Sequence, residues 1–122
     1  MDFPKPASGG GATVTVYEDS ALMDGSEQVL VATEISSPHS LEGMIDLSSL
    51  ASGDSVTVRE YMSAVSPVSY TKYAQSSVSG PRDPAMLYLA TKSSSYGIRI
   101  TLQQTSGTYR TLPWQFFLRQ EA

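Results

Sequence analysis

Acidic side chains in the first half of this 122-residue sequence are the residues whose type and number could do chemistry. Glu18, Asp19, Asp24 and Glu27 crowd the segment EDSALMDGSE. Clustered carboxylate oxygens suit a hard cation such as calcium, although the spacing does not match a regular EF-hand loop. Two carboxylates on facing surfaces could also hydrolyse a glycosidic bond, but nothing marks any two as a pair. The segment therefore predicts an acidic surface turn, with weak calcium binding and hydrolysis as the alternatives.

The inventory of side chains limits nucleophilic and cofactor chemistry. The chain has no cysteine and one histidine, His39, in the Ser/Pro-rich segment SSPHS. Disulfides, cysteine zinc sites and multi-histidine metal sites are excluded, and His39 is predicted to be a solvent-exposed turn residue. No serine lies in a GxSxG elbow, and SGGGAT lacks the Gly-Lys-Ser/Thr ending that engages phosphate and magnesium. We expect no enzymatic activity and no cofactor.

Tyrosine side chains could instead bind a partner. Three of them, Tyr61, Tyr70 and Tyr73, cluster around one predicted hairpin. Tyrosine is favoured at protein interfaces and on sugar-binding faces, whereas pairing of tyrosines across neighbouring strands is a routine structural use. The first interpretation makes Tyr70 and Tyr73 candidate contacts of a protein or carbohydrate partner, and the second leaves them inside the sheet.

The charge is unevenly distributed along the chain. Residues 1–60 hold ten acidic and two basic residues, and the remainder holds two acidic and six basic ones, for a net charge of −4. An acidic protein lacks the basic footprint that neutralises phosphates, so we expect no direct nucleic-acid binding. The oppositely charged halves could join neighbouring copies into an oligomer or could pair within one domain.

Length and hydropathy predict a single soluble domain. A chain of 122 residues is about one domain in size. It has no apolar run long enough to span a membrane, and its N-terminus lacks the basic and apolar regions of a signal peptide. We therefore expect synthesis in the cytoplasm and no association with a membrane.

The elements that position these side chains are short strands. ATVTVY alternates apolar and polar residues, EDSALMDGS reads as a connection with an Asp24-Gly25 turn, and SVTVREYM should form a hairpin with YTKYAQSSV. Further strands are predicted in EQVLVATEI, at residues 44–46 before a single helical turn at LSSL, in AMLYLAT and in YGIRITLQQ, with rigid GPRDP as a connection. About seven or eight short strands without a normal-length helix predict one all-β antiparallel sandwich, jelly-roll or immunoglobulin-like, over residues 12–122.

Residues 1–11 are predicted to be a flexible N-terminal arm. They contain two prolines, one lysine and the tract SGGG, without periodicity. Phe3, Pro4 and Pro6 are the arm's candidate contacts with a partner.

The closing strand presents two different faces. TSGT is predicted to be a hairpin turn with Gly107 at positive φ. Alternation then directs four apolar residues inward, namely Leu112, Trp114, Phe116 and Leu118. Pro113, Gln115 and Phe117 point the other way, and Pro113 has no N–H for a ladder, so the strand is predicted to lie at a sheet edge. Pro113, Gln115 and Phe117 are therefore candidate contacts of a sticky edge.

About 70 residues of the second half carry a family resemblance. They contain a Gly-Asp turn, a Val-x-Val-Arg-x-Tyr strand, a Tyr-x-x-Tyr strand, and Ile-Thr-Leu-x-Gln-Thr-x-Gly before an aromatic strand. These positions are Gly53, Asp54, Val56, Val58, Arg59, Tyr61, Tyr70, Tyr73, Ile100, Thr101, Leu102, Gln104, Thr105, Gly107, Pro113, Trp114 and Phe116. The pattern resembles that of small β-rich structural proteins of tailed bacterial and archaeal viruses.

That resemblance implies a non-enzymatic virion protein. The implied role is a multi-copy head-decoration (cement) protein or a small tail component, oligomeric, located in the virion and made in the host cytoplasm. Its implied partner is a capsid or tail protein of the same virus, bound through the arm and a sheet edge. A carbohydrate-binding or adhesion module, possibly tail-associated, is the alternative.

Overall fold

The chain folds into eight antiparallel strands. The structure, a computed structural model, describes residues 13–120, so the predicted arm with Phe3, Pro4 and Pro6 lies outside the described residues. The strands are β1 (Thr13–Leu22), β2 (Gln28–Ala32), β3 (His39–Asp46), β4 (Ser55–Ser63), β5 (Thr71–Ser79), β6 (Met86–Ala90), β7 (Gly97–Ser106) and β8 (Thr111–Gln120). No helix that is long and apolar enough to cross a membrane occurs in the described range.

Strand pairing identifies a jelly roll. The first four strands pair in reverse order with the last four, as β1·β8, β2·β7, β3·β6 and β4·β5. Two further pairings, β3·β8 and β4·β7, gather the strands into sheet A, ordered β1-β8-β3-β6, and sheet B, ordered β2-β7-β4-β5. The chain is thus one long hairpin rolled into two packed sheets, the eight-stranded jelly roll. The predicted all-β sandwich is confirmed. Of the two predicted types, jelly roll and immunoglobulin-like, the strand order identifies the jelly roll.

The core lies between the sheets and follows the predicted alternation. Its buried apolar residues are Ala21, Met23, Val31, Leu41, Ile45, Leu47, Leu50, Val56, Val58, Ile98, Ile100, Leu102, Leu112, Phe116 and Leu118. Burial of apolar surface contributes about 25 cal/mol per Å², so these side chains are the main stabilising element of the domain. Trp114 is only partly buried and packs against the edge of this core.

The acidic segment is a strand followed by a turn. β1 continues through Glu18 and Asp19 to Leu22, where the sequence predicted a connection. The Asp24-Gly25 turn follows as predicted, with Gly25 at φ +88°. Ala21, which is buried, and the unbroken pairing with β8 extend the strand across its polar residues. A continuous ladder therefore overrides the low strand propensity of Glu, Asp and Ser.

The connection between β7 and β8 crosses from one sheet to the other. Gly107 has the predicted positive φ, +88°. The strands on either side of it do not pair, because β7 belongs to sheet B and β8 to sheet A. The predicted closing hairpin is therefore wrong, since a tight turn also occurs where a chain passes between two packed sheets.

One backbone hydrogen bond shows which residues of β1 bond to β8. The Met23 N–H donates to the Arg110 carbonyl at 2.9 Å, one step beyond the last paired residues of the two strands. Bonded and non-bonded pairs alternate in an antiparallel ladder. Odd-numbered residues of β1 therefore bond to β8, and even-numbered ones direct their N–H and C=O groups away from it.

Pro113 lies in an interior strand, so the predicted edge position of β8 is wrong. It pairs with Ser20, an even-numbered residue of β1, and its nitrogen therefore faces β3. The last pair between β3 and β8 is Ile45 with Trp114, so no residue of β3 pairs with Pro113. The missing N–H of Pro113 costs no ladder bond at this position, which is why β8 accommodates a proline between two neighbours.

The fold pairs the acidic half of the chain with its basic half. Each strand pair of the rolled hairpin joins residues 1–60 to the remainder, with β3 and β4 also bonded to β8 and β7. Ion pairs link Asp54 to Arg110 and Glu42 to Arg119 across this division. The charge asymmetry is thus at least partly neutralised inside one domain.

Asp54 organises the turns at one end of the sandwich. Its buried carboxylate accepts from the Ala51 N–H at 2.8 Å, the Thr108 N–H at 2.9 Å and the Arg110 Nε at 2.7 Å. A Cβ at Gly107 would lie 2.0 Å from its Oδ1, so glycine is required there for space as well as for φ. The Gly53-Asp54 turn therefore has a structural role, because the Asp54 carboxylate joins the β3–β4 connection to the β7–β8 connection. This set of three hydrogen bonds is called the Asp54 clamp.

Acid is expected to weaken this clamp. The Ala51 N–H and then Arg110 hold the pKa of the Asp54 carboxyl below its ordinary value. A carboxylate with a lowered folded-state pKa stabilises the fold above its unfolded pKa of about 3.9, and that contribution is lost as pH falls through the folded value. Urea unfolding at pH 7 and pH 3 should show that Asp54→Asn is less stable at pH 7 and loses less on acidification. An unchanged pH slope would contradict this role.

Candidate assembly surface

The outer face of sheet B is polar and bonded within the domain. Arg59 donates to Gln75 Oε1 at 3.1 Å and to Gln103 Oε1 at 2.9 Å. Thr57 and Ser77 share a hydrogen bond of 2.9 Å across β4 and β5. These side chains bond to one another across the sheet, whereas the buried Nε of Arg99 has no hydrogen-bond partner among the described residues.

Tyr70 is part of the same internal network. Its hydroxyl donates to the Thr33 carbonyl at 2.6 Å. Arg99 lies over its ring at 4.6 Å and over the Tyr61 ring at 4.3 Å, forming two cation–π contacts. The Tyr61 hydroxyl donates to Glu27. Tyr70 therefore holds the sheet together, and the structure does not present it beside Tyr73 as a joint binding surface.

Tyr73 lies in a β-bulge of β5, an edge strand of sheet B. Glu60 pairs with Ala74 and Tyr61 with Lys72, so Tyr73 is the extra residue of a β-bulge. It is 43% exposed, donates to Glu60 Oε1 at 2.7 Å, and borders a cavity of about 430 Å³. The cavity is also lined by Met62, Ser63, Ala64, Thr71, Lys92, Ser93, Ser94, Ser95 and Tyr96.

Sheet A carries an apolar outer face. Its exposed large apolar residues are Val14, Val16 and Leu22 on β1, and Met86 and Tyr88 on β6. Phe117 lies between them, half-buried, with Val16 beside it on β1 and Glu42 beside it on β3. Pro113 and Gln115 share this face, as their alternation with Phe117 predicted. The three candidate residues of β8 therefore lie together on a face of sheet A, although not at its edge.

Glu42 is the polar centre of this apolar face. It accepts from the Tyr88 hydroxyl at 2.5 Å and from Arg119. The Tyr88 hydrogen bond and then Arg119 lower the pKa of Glu42. The Glu42 charge is thus compensated by Tyr88 and Arg119.

The free edge of β1 adjoins the apolar face. Even-numbered residues of β1 point their backbone groups away from β8, and the side chains of residues 19 and 28 cap two of these groups. Asp19 accepts from the Ser20 N–H at 2.8 Å, and Gln28 donates to the Leu22 carbonyl at 2.8 Å. In residues 13–120, no strand pairs with the outward groups of Val14, Val16 and Glu18.

Among the four edge strands, β1 is the least protected against pairing. β2 and β6 have five residues each, and β2 is also interrupted by a bulge. β5 carries Lys72 and the Tyr73 bulge. β1 has ten residues, an unshifted register, and no lysine, arginine or proline. Short strands, bulges, prolines and charged side chains, above all lysine, prevent unwanted strand addition. β1 is long and lacks a bulge, a proline and a lysine, and its two charges are Glu18 and Asp19 in its second half.

His39 is a structural residue, and its predicted solvent exposure is wrong. It is 2% exposed at the start of β3. Its Nδ1 lies 2.8 Å from the Ser37 carbonyl, which can only accept, so Nε2 accepts from the Thr33 hydroxyl at 2.7 Å. Both ring nitrogens are satisfied because the SSPHS segment folds back over the end of β2.

Acidic residues of the first half are not brought together as a metal site. Within the described part of the chain, no three His, Cys, Asp or Glu residues have an arrangement that could hold a metal ion. Asp24 accepts from Ser26, and Glu27 accepts from Thr101 at 2.6 Å as well as from Tyr61. The Thr101 and Tyr61 hydrogen bonds lower the pKa of Glu27, which serves the polar network of sheet B.

Comparisons with known proteins identify the fold. No family model and no curated protein matches the sequence. A chain from the disulfide-linked pili of Bacillus endospore appendages is similar in structure, with a TM-score of 0.64 at 14% identity over 99% of this chain and 98% of that one. The subviral particle protein VP2 of infectious bursal disease virus is also similar, with a TM-score of 0.51 at 10% identity over 90% of this chain and 33% of that one. These likenesses support the jelly-roll assignment.

Proposed function

We propose that this chain is a non-enzymatic structural subunit, present in many copies, that joins its neighbours along the β1 edge and the apolar face of sheet A. The observation that carries the proposal is the unprotected ten-residue strand β1 with apolar side chains beside it. Strand addition supplies main-chain hydrogen bonds, and the adjoining apolar area supplies the favourable burial. The polar, internally bonded face of sheet B stays in solvent.

Two similar folds support a role in assembly. The Bacillus appendage is described as a pilus, and the VP2 structure is described as a subviral particle, so both of these proteins occur in assemblies of many copies. The appendage pili are described as disulfide-linked, whereas this chain has no cysteine. Disulfides therefore cannot join copies of this chain, and the proposed contacts depend on complementary surfaces.

The finer proposal is a virion location. The second-half resemblance to structural proteins of tailed viruses and the jelly-roll fold, which recurs in viral capsid domains, both support it. In this form the chain is a head-decoration protein, and its partner is a capsid or tail protein of the same virus. A free filament of this chain alone is the competing form of the same assembly role.

Sedimentation separates these forms. Analytical ultracentrifugation of the purified chain should show concentration-dependent oligomers, and cosedimentation with virus particles should show saturable binding. Filaments without particle binding would retain the assembly role and reject decoration. A monomer at every concentration that also fails to bind particles would reject both.

A carbohydrate-binding module is the second candidate, favoured by the cavity beside Tyr73. Exposed tyrosine rings can stack on sugars, and the serine hydroxyls and Lys92 of the cavity wall can donate to sugar oxygens. A glycan array should then give a specific signal that Tyr73→Ala abolishes and Tyr109→Ala, an exposed tyrosine in the β7–β8 connection, leaves intact. An array without any specific signal would reject this candidate.

A further inference from the structure

A groove crosses the outer face of sheet A near the start of β8. Its volume is about 450 Å³, and all four strands of the sheet contribute to it. The lining comprises Glu18, Asp19 and Ser20 of β1, Met44 and Asp46 of β3, Met86 of β6, and Pro113, Trp114 and Gln115 of β8. Trp114, the only tryptophan of the chain, borders the groove, although its side chain packs against Phe116 and points to the inner face of the sheet with its pair partner Ile45.

The groove combines apolar walls with carboxylates that form no ion pair among residues 13–120. The Ser48 hydroxyl, and then the Ser48 N–H that donates to Asp46 Oδ1 at 2.9 Å, lower the pKa of the Asp46 carboxyl. Glu18 has a contact of 3.5 Å with Gln115 Nε2. The ion pairs formed among residues 13–120 involve Glu27, Glu42 and Asp54, and none involves a carboxylate of the groove. A segment that is apolar and carries a positive charge therefore complements this lining.

We infer that this groove binds residues 3–6, Phe-Pro-Lys-Pro, from the arm of a neighbouring copy. This inference rests on the proposed assembly role, because it supplies that role with its second contact. Lys5 is the only lysine among the first 71 residues, and it is flanked by Pro4 and Pro6 with Phe3 alongside. The segment thus carries one positive charge within an apolar stretch, which complements the groove.

The chemistry of the segment suits a groove with apolar walls and acidic side chains. Proline restricts the unbound chain, so proline-containing segments lose little conformational entropy when they dock. The Phe3 and proline rings can cover Met44, Met86 and Pro113, while the Lys5 ammonium can reach the carboxylates of Glu18 and Asp46. A charge pair at the edge of an apolar contact also selects against wrong partners.

The direction of β1 favours a neighbour's arm over the chain's own. Lys5 precedes Thr13 by eight residues, so it can lie at most about 28 Å from the start of the strand. Asp19 and the groove lie six residues in the opposite direction, or about 20 Å along β1. The chain's own arm would have to reverse at Thr13 and use about 20 Å of its length of about 28 Å to return, whereas the arm of a neighbouring copy needs no such reversal.

Cross-linking of the assembled full-length chain tests which residues meet. Copies labelled with ¹⁵N are mixed with unlabelled copies, assembled, and treated with a carbodiimide that joins an amine to a touching carboxylate. Peptides that link Lys5 to Glu18, Asp19 or Asp46 should appear in mixed-isotope form. Links found only within one isotope would assign the groove to the chain's own arm and overturn the inference.

A double-mutant cycle tests whether the contact contributes to affinity. Lys5→Met and Asp46→Asn keep the size of the side chains and the Ser48 hydrogen bond, and each should raise the dissociation constant of assembly about threefold. The double variant should be no weaker than either single variant, because both changes remove the same pair. Lys92→Met, a change at an exposed lysine outside the groove, is the matched control and should have no effect.

The outcomes separate this inference from the assembly role. Additive effects of the two substitutions, or Lys5 links to carboxylates outside the groove, would overturn the groove inference while assembly itself persists. A chain that stays monomeric in every variant, without mixed-isotope links, would overturn the assembly role and the inference with it.

Discussion

Replacing Phe116 by alanine is expected to lower the free energy of unfolding by about 3–5 kcal/mol. Phe116 is 0% exposed and lies in β8 between the two sheets. It packs against Trp114 with ring centroids 5.9 Å apart, and its ring fills the space above Gly43, where a Cβ would lie 2.7 Å from Phe116 Cδ1. Alanine would leave a cavity that neither sheet can close. Urea unfolding, followed by the fluorescence of the single tryptophan and by circular dichroism, measures the loss.

Phe117→Ala is the matched control one residue further along the same strand. Phe117 points to the outer face of sheet A and is half-buried, so its loss should cost only about 1 kcal/mol of stability while it weakens assembly. Equal destabilisation by the two substitutions would contradict the assignment of the faces of β8.

Replacing Val16 by proline is expected to abolish assembly while the domain stays folded. Val16 directs its N–H away from β8, so proline removes a donor that the domain itself does not use. The same donor is needed by any strand that adds to the edge, and proline is one of the residues by which natural edges prevent addition. Sedimentation velocity should show a monomer, and the circular dichroism spectrum should remain that of a β-sandwich.

Val16→Thr is the control for this experiment. Threonine keeps the N–H, the β-branched shape and the exposed position, so the variant should still assemble, with weaker affinity from the lost apolar surface. If Val16→Pro assembles normally, copies do not join along the β1 edge. If Val16→Pro unfolds, this N–H is needed within the domain. That result would contradict the inference that even-numbered residues of β1 direct their N–H groups away from β8.

Alternation along the chain was sufficient to predict the strands and most of the core. Ile98, Ile100 and Leu102 on β7 and Leu112 and Phe116 on β8 are buried, as the period-two pattern requires. The β4·β5 hairpin was predicted and is confirmed. The other strand pairs were not predictable, because they join residues far apart in the sequence. The choice between two sandwich types depends on these long-range ladders, and local patterns do not encode them.

The position of β8 shows how a correct local rule gives a wrong placement. A proline shows only that one backbone donor is missing on one side of a strand. The nitrogen of Pro113 faces β3 at a position where β3 and β8 are no longer paired. The proline therefore removes no ladder bond, and β8 can lie between β1 and β3. His39 is similar, because its surroundings in SSPHS are typical of a turn, whereas the fold buries it against Thr33.

The candidate surface was predicted in part. Pro113, Gln115 and Phe117 share one face as alternation requires, but their edge neighbour β1 was not recognised. Its signal was present in the sequence as a long segment without lysine, arginine or proline between residues 12 and 22. For Tyr70 the sequence left a partner contact and pairing inside the sheet as alternatives, and in the structure Arg99 and the Thr33 carbonyl contact it within the domain.

Hydrogen exchange at the amides of β1 tests the central claim most directly. In the dispersed subunit, Val14, Val16 and Glu18 should exchange fast, while Thr15 and Tyr17, which bond to β8, should be protected. In the assembled protein all five amides should be protected, because a neighbouring strand then pairs with the β1 edge. Amides of Val14, Val16 and Glu18 that still exchange fast in the assembly would contradict the claim that copies join along β1.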